Sequence, residues 1–340
     1  MSRGRRRRVA ILRHTHGLPR HGARASVRTV GPAARLDGMD VALLVNPAAR
    51  SGAHSDAAAR AAERLRAAGI RTTVVSGGSA AESSELLGTA LDVGADAVLV
   101  AGGDGTVSLA IQRLAGTGIP LGIIPSGTGN DLATTVGLRE LDAVGAADAV
   151  VAGATRRIDV ARATRADGSS TLFGTVLASG FDSKVNDRAN RMRWPRGHSR
   201  YNIAILVEFL TLRGIPYTVE ATTPDGVVER IDGDLVMATV GNGRTYGGGI
   251  PICPDADPAD GLLDLTLVRP AGRLRLLRLL PRVYRGTHTS IDEVVTRRVR
   301  SVRLDSPGVT AYADGDPLGE LPLQIDVVRG ALTVFVPPPV

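Results

Sequence analysis

Two glycine-centred turns hold the residues of this chain whose types and spacing can do chemistry. The first, Gly102-Gly-Asp-Gly-Thr106, follows the apolar run Val98-Leu-Val-Ala101 and leads into Val107-Ser-Leu-Ala-Ile111. The second, Ser126-Gly-Thr-Gly-Asn-Asp131, follows Ile123-Ile-Pro125 and leads into a helix expected from near Leu132. Glycine lets the backbone turn sharply and approach a ligand closely, and amides that open a helix point at an anion. An apolar strand, a glycine turn and a helix in that order form a phosphate-binding loop. Asp104 adds a carboxylate that can handle a magnesium ion or a reacting hydroxyl. Two such loops about 25 residues apart suit one polyphosphate held between two strand ends. One loop alone has a tight βα turn with no ligand as its alternative; the pair argues against that. Other phosphate-binding designs are excluded by inspection. No G-x-x-x-x-G-K-[ST] occurs, and Lys184 is the only lysine, so neither a P-loop lysine nor a protein-kinase strand lysine is available in the first half. Gly116-Thr-Gly118 precedes a strand rather than opening a helix, which leaves a dinucleotide fingerprint unsupported.

Strands and helices must carry these loops. From Met39 the pattern alternates: strand 41–45, helix 57–68 stopped by Gly69, strand 71–75, helix 80–91, the strand entering the first loop, strand 119–124 and a helix over 143–152. Such alternation predicts a parallel sheet with helices on its faces. Beyond about residue 157 the texture becomes β-rich, with strands expected at 157–163, 171–179, 216–222, 235–241, 263–268, 299–304, 324–328 and 332–336. Turns such as Pro224-Asp-Gly226 punctuate them, and helices over 200–212 and 273–284 interrupt them. This predicts an antiparallel sandwich as a second domain. The expected division is a basic tail over 1–38, a nucleotide-binding α/β domain over 39–157 and a β-rich domain over 158–340.

At 340 residues the chain is long enough for two cores. No apolar run approaches the roughly 18 residues of a membrane-spanning helix. One cysteine, Cys253, forbids an internal disulfide and suits a reducing cytoplasm, and six scattered histidines offer no zinc-ligand spacing. The formal charge of +7 is misleading, because residues 1–38 hold ten arginines and one acid, leaving 31 basic and 33 acidic side chains in the rest. The body therefore gives no warrant for nucleic-acid binding. The tail is expected to be disordered. It reads either as a polybasic patch for anionic lipid or as an over-long reading frame, since Met39 precedes Asp40-Val-Ala-Leu-Leu-Val-Asn-Pro47.

In order along about residues 41–337 stand Val45-Asn-Pro47, Gly102-Gly-Asp-Gly-Thr106, Pro125-Ser-Gly-Thr-Gly-Asn-Asp131, Arg157-Ile-Asp159, Ser179-Gly-Phe-Asp182, Gly241-Asn-Gly243, Cys253-Pro-Asp-Ala-Asp-Pro-Ala-Asp-Gly261 and Asp314-Gly-Asp316. Together they resemble the diacylglycerol kinase catalytic family, the lipid kinases that also include sphingosine and ceramide kinases. The resemblance implies an N-terminal Rossmann-like parallel α/β domain, related to NAD kinase, and a C-terminal antiparallel β-sandwich. It also implies ATP in the cleft between them and a last segment that often returns to the first domain. By resemblance Asn46 lies on the nucleotide side, and Gly102, Gly103, Gly105, Thr106, Ser126, Gly127, Thr128 and Asn130 hold the phosphates. Asp104 and Asp131 are then magnesium-proximal, although either also suits a helix N-cap. The segment Asp257-Pro-Ala-Asp260-Gly-Leu262 looks like the family's structural magnesium loop, with the Asp260 side chain and the carbonyls of Asp257 and Leu262 as ligands; its plain alternative is an acidic turn.

Three places depart from the family pattern. Asp314-Gly-Asp316 replaces the usual Asp-Gly-Glu, whose glutamate is the proposed base, so the base is Asp316 with one methylene less of reach, or Asp104. Arg50 precedes Ser51-Gly52, where the family often carries its basic residue after them. Lys184, alone in an arginine-rich chain, is a candidate phosphate partner. Arg188-Ala-Asn-Arg-Met-Arg-Trp-Pro-Arg196 and the leucine and arginine segment 273–285 suit a membrane headgroup region or an ordinary solvated surface. The reading is an ATP- and magnesium-dependent lipid kinase, cytoplasmic and peripherally membrane-associated, most directly for diacylglycerol. Another lipid alcohol, NAD, or a catalytically silent module are the alternatives. Oligomeric state, a homodimer included, is not legible.

Overall fold

The computed structural model describes residues 38–46, 53–192, 194 and 198–337. Residues 1–37 of the basic tail, Pro47 to Gly52, Arg193, Pro195 to Gly197 and the last three residues lie outside them. Strands β1 (Asp40–Val45), β2 (Arg71–Val75), β3 (Ala97–Gly102) and β4 (Leu121–Pro125) pair in parallel in the order β2-β1-β3-β4. Residues 97–102 of β3 are buried throughout because helices cover both faces of the sheet. On one face α1 (Ala53–Ala67) and α5 (Ala143–Ala152) pack over Val41, Leu43, Leu99 and Ile124. On the other, α2 (Ala80–Asp92) and α3 (Asp104–Leu114) cover Ala42, Leu44, Val98 and Val100. Alternate residues of one strand thus feed two cores, which fixes the register and aims the strand ends at the loops above them.

The sheet continues beyond β4. The long strand β16 (Leu323–Phe335) pairs with β4 in parallel at Val334 and with β5 (Thr155–Thr164) antiparallel along its length. Its lower half then pairs with β13 (Ser301–Asp305), which leads to β8 (Ile215–Thr222) and the edge strand β9 (Val228–Leu235). A second, antiparallel sheet runs β12 (Val294–Val299), β11 (Leu263–Val268), β10 (Met237–Gly241), β7 (Val176–Gly180), β14 (Thr310–Ala313) and β15 (Asp316–Glu320). The two sheets enclose a core of Phe173, Leu177, Val219, Val240, Leu265, Leu304 and Ile325. The fold is therefore α/β with a β-sandwich, and one ten-stranded sheet runs unbroken from the first unit into the second.

Several elements differ from the pattern read in the sequence: β9, β14 and β15 have no counterpart in it, and three further differences have a clear physical cause. The expected strand over 171–179 is two strands in different sheets, β6 (Ser170–Phe173) and β7, broken at Gly174-Thr175. The amides of both residues donate to the Asp314 carboxylate instead of to a neighbouring strand. The two strands expected over 324–336 are one, carrying a register shift between Val328 and Leu332. An unforeseen helix, α6 (Phe181–Arg191), buries Ser183, Val185 and Ala189, too small and polar a set to show as apolar periodicity. Further along, α4 (Asp131–Thr135), α7 (His198–Leu210) and α8 (Arg273–Tyr284) complete the helices used below. No described helix is long and apolar enough to cross a membrane.

The β16 irregularity is held by Asp159, which is 4% exposed. Its carboxylate accepts from Gly330 N (2.6 Å) and Gly261 N (2.7 Å), tying the kinked strand to the 257–262 loop. Asp159→Ala leaves two buried amides without an acceptor and should cost roughly 2–5 kcal/mol of stability. Asp159→Asn, whose amide oxygen can still take one of them, should cost about half as much. Urea midpoints of the two variants would test the ranking, and equal midpoints would sink it.

Candidate active site

β1, β3 and β4 end side by side. Asn46, just past β1, donates its backbone N–H to Ala101 O at 3.3 Å, and Gly102 lies opposite Pro125. The first turn is tight: a methyl group at Gly102 would lie 2.6 Å from Thr106 Oγ1. The two turns also touch each other, since a methyl at Gly103 would meet the Gly127 Cα at 3.2 Å and one at Gly129 would run into the Asp104 carboxylate. Glycine is required here by the contact of the two loops as much as by any ligand.

Asp104 is the first residue of α3, and its side chain joins the loops. One oxygen accepts from Asn130 N at 3.0 Å and the other from Asp131 N at 2.8 Å, so it caps α4, the helix opened by the second loop. Asn130 adopts a left-handed conformation (φ 56°), and its amide both accepts from Gly127 N (2.9 Å) and donates to Gly127 O (2.8 Å). Asp131 accepts in turn from Gly248 N (3.1 Å) and Gly249 N (2.9 Å), which fastens the loop pair to the β-sandwich. Asp314, in the left-handed turn between β14 and β15, accepts from Gly174 N (2.8 Å), Thr175 N (3.0 Å) and the Thr175 hydroxyl. Buried Asn242 donates to Asp159 O and Gly174 O, both at 2.9 Å, so Gly241-Asn-Gly243 closes the same junction.

Burial pushes the Asp104 carboxyl up to about 6; the nearby Asp131 and Asp314 carboxylates add to this and the two amides oppose it. Burial likewise raises Asp314 despite its three donors. Asp316, two residues on, is exposed, with its carboxyl raised by partial desolvation and no hydrogen bond to it among the described residues.

The donors suit a polyphosphate. The amides of Asp104 and Gly105 open α3 without intrahelical acceptors, and among the described residues a side chain at Gly105 would meet nothing within 4 Å and the buried Ser126 Oγ has no partner. Thr128 stands exposed beside them. Asn46, Gly102 to Thr106, Ser126 to Thr128, Asn130 and Asp131 are thus brought together. Lys184 is not among them: it lies on α6 and lines a cleft of about 450 Å³ with Asp187, Arg188, Arg191, Met192 and Glu208. Exposed Trp194 follows α6.

The 257–262 loop does not offer an open metal site. The Asp260 carboxylate is paired with Arg298 and accepts Leu262 N at 2.9 Å, while Asp257 O accepts Asp260 N at 3.3 Å and the Asp257 side chain pairs with Arg156 at 2.8 Å. A cation there would have to displace Arg298, and no described group of acids, histidines or cysteines has metal-holding geometry.

The sequence reading did not single out Gly248, Gly249 or Arg139 for the site. The run Gly247-Gly-Gly249, with φ of 60°, 90° and 103°, was the available signal. Arg139 gave none; its guanidinium donates to Gly129 O at 3.2 Å and Thr134 Oγ1 at 3.1 Å.

Residues 40–163 match the diacylglycerol kinase catalytic domain, and residues 175–336 match the YegS C-terminal NAD kinase beta sandwich-like domain. A diacylglycerol kinase of Mycobacterium tuberculosis (strain ATCC 25618 / H37Rv) is 49% identical over 297 residues, 87% of this chain and 95% of that protein. A protein named "Probable lipid kinase YegS" from Salmonella paratyphi A (strain ATCC 9150 / SARB42) is 30% identical over 289 residues, 81% of this chain and 89% of its own. The fold matches the crystal structure of a diacylglycerol kinase from Bacillus anthracis str. Sterne with a TM-score of 0.65 at 23% identity, covering 88% of this chain and 97% of that one.

Raising the folded-state pKa of Asp104 from an unfolded value near 4 favours the protonated, folded form. Its stabilising contribution is complete below about pH 4 and lost as pH rises through about 6, worth up to roughly 3 kcal/mol. Asp104→Asn cannot titrate. The stability of wild type relative to this variant should therefore fall between pH 4 and pH 7 in urea titrations, and a difference independent of pH would contradict the assignment.

Proposed function

The chain belongs to the diacylglycerol kinase and YegS-like lipid kinase family, and on that premise we propose that it transfers the γ-phosphate of ATP to the free hydroxyl of diacylglycerol, giving phosphatidic acid and ADP. The observation that carries the reading is the pair of glycine turns locked by Asp104, with the first amides of α3 and the Ser126 hydroxyl left open between two strand ends. The relative named diacylglycerol kinase, at 49% identity over nearly its whole length, supports that lipid over others.

In the transfer a bond forms between the lipid oxygen and the γ-phosphorus, the bond from that phosphorus to the β,γ-bridging oxygen breaks, and the hydroxyl proton leaves to a base. Charge on the moving phosphoryl oxygens favours fixed backbone donors, which cost no reorganisation. The loop amides and the N-terminus of α3 serve that role. A magnesium ion bound with the nucleotide would offset the triphosphate charge, and Asp104 and Asp131, whose carboxylate oxygens keep a lone pair each beyond the amides they accept, are the residues suited to face it.

Asp316 is the better proton acceptor of the two candidates. Both oxygens of Asp104 are occupied in holding the second loop, so its primary work is positioning, whereas the Asp316 carboxyl is free, exposed and next to the turn that holds Asp314. Partial burial raises its proton affinity, which suits a proton acceptor.

Three measurements test this. Full-length protein with γ-labelled ATP and magnesium should place label in phosphatidic acid when offered diacylglycerol, sphingosine, monoacylglycerol and NAD in mixed micelles. Label in another lipid would change the substrate, and none at all despite bound ATP would end the kinase reading. Asp316→Asn should lower kcat by about 100-fold or more at unchanged ATP affinity, with Asp316→Glu retaining activity; an active Asn variant would remove Asp316 from the chemistry. Gly105→Ala should keep or raise thermal stability, since alanine is favoured over glycine in a helix by about 0.5–1 kcal/mol. It should nonetheless weaken ATP binding about tenfold by calorimetry, because only the ligand would meet the new methyl. Undiminished ATP affinity would place the phosphates elsewhere.

A further inference from the structure

α8 has two apolar faces and only one of them is covered. Leu276 and Val283, seven residues apart, pack into the cluster that includes Phe181, Phe209, Tyr246 and Ile252. On the opposite side Leu274, Leu277, Pro281 and Tyr284 follow at helical spacing, with Leu274 74%, Leu277 50% and Tyr284 63% exposed. A solvated helix face carries polar residues at such positions, and large exposed apolar stripes mark interaction surfaces.

The flanks of the stripe say what covers it. Arg273, Arg278, Arg282 and Arg285 are exposed and form no ion pair among the described residues; of the arginines on this helix only Arg275 is paired, with Asp292 and Glu293. This positive belt sits on a body whose 302 residues after the tail carry two more acids than bases, so it is a local feature and not a consequence of overall composition. Arginine stems can lie along apolar surface while their guanidinium groups reach phosphate, and an apolar stripe between such side chains is the design of a helix lying in the plane of an anionic bilayer. Tyr284 adds an aromatic ring with a polar tip, suited to the headgroup depth.

We propose that the outer face of α8 docks on anionic phospholipid, with Leu274, Leu277, Pro281 and Tyr284 entering the interface and Arg273, Arg278, Arg282 and Arg285 meeting lipid phosphates. The proposal rests on the reading that the substrate is a lipid, and it gives the approach a direction. Through Leu276 and Val283 the helix is seated on the cluster containing Tyr246, whose chain neighbours Gly248 and Gly249 hold Asp131. A membrane bound there lies against the layer that supports the loops.

The test measures binding without turnover. Full-length protein is partitioned onto vesicles of phosphatidylcholine and of equimolar phosphatidylcholine and phosphatidylglycerol. Every variant retains the arginine-rich N-terminus, so differences report on α8 alone. Leu274→Ser with Leu277→Ser and Tyr284→Ser should lower the partition coefficient on anionic vesicles at least about tenfold. Replacing the four flanking arginines by glutamine should lower it comparably at low salt and much less at high salt. Both sets alter exposed positions, so circular dichroism and melting should be unchanged. In Trp194→Phe with Leu277→Trp, the introduced indole should shift to the blue on binding and be quenched by brominated acyl chains. Unaltered partition of the serine variant, an unquenched indole, or a change from dimer to monomer on sedimentation without loss of vesicle binding would each overturn the proposal. Wild-type binding to vesicles with no phosphorylation of any lipid would end the kinase reading and leave the surface in place.

Discussion

The site depends on carboxylates that hold backbone amides of distant segments. Asp104 takes two amides of the second glycine loop, Asp131 two from the glycine run after Tyr246, Asp314 two at the break between β6 and β7, and Asp159 one from the 257–262 loop and one from the kinked β16. The Asp104 and Asp131 ties cross between elements that no strand ladder joins, whereas those of Asp159 and Asp314 hold irregular stretches beside paired strands. A buried carboxylate is costly unless donors replace the water it loses, and a loop amide turned away from any ladder is costly unless it finds an acceptor. Bringing the two together cancels most of both penalties and fixes the loops to each other. The cancellation is incomplete at Asp104, where burial, with the nearby Asp131 and Asp314 carboxylates adding to it, pushes the carboxyl up to about 6 although two amides favour its charged form.

The glycines are the steric counterpart of this arrangement. Gly103, Gly127 and Gly129 let the loops approach until the Asp104 carboxylate reaches the amides of α4, and a single methyl at Gly129 would occupy the place of that carboxylate. Gly105 differs, because nothing in the protein approaches it. Within one motif, then, some glycines are required by the packing of the loops and one is not, a division that composition alone does not express.

What was legible follows from this physics. The β3 and β4 strands, buried on both faces, stand out as continuous apolar runs before glycine, and the loops they carry were read with their boundaries nearly right. β9 was not read, because Val228-Glu-Arg-Ile-Asp-Gly-Asp-Leu235 is an edge strand whose charges guard an open flank rather than mark a core. The break at Gly174 was not legible, because its cause lies 140 residues away in Asp314. Nor was the role of the 247–249 glycines, which only a carboxylate from the other layer makes evident. Local pattern predicts elements; it does not predict which distant acid will redirect two amides.

The pair Asp314 and Asp316 shows the same division at the smallest scale. They are one residue apart in a hairpin turn, yet Asp314 is buried with three donors and Asp316 is exposed with none described. The left-handed turn at Asp314 and the following glycine produce this split by turning the chain between them. A carboxylate that must accept a proton needs freedom from competing donors, whereas one that must hold a turn needs those donors. Fixing Asp314 from both sides holds the start of the turn that carries Asp316, so the two acids keep separate environments without competing for the same donors.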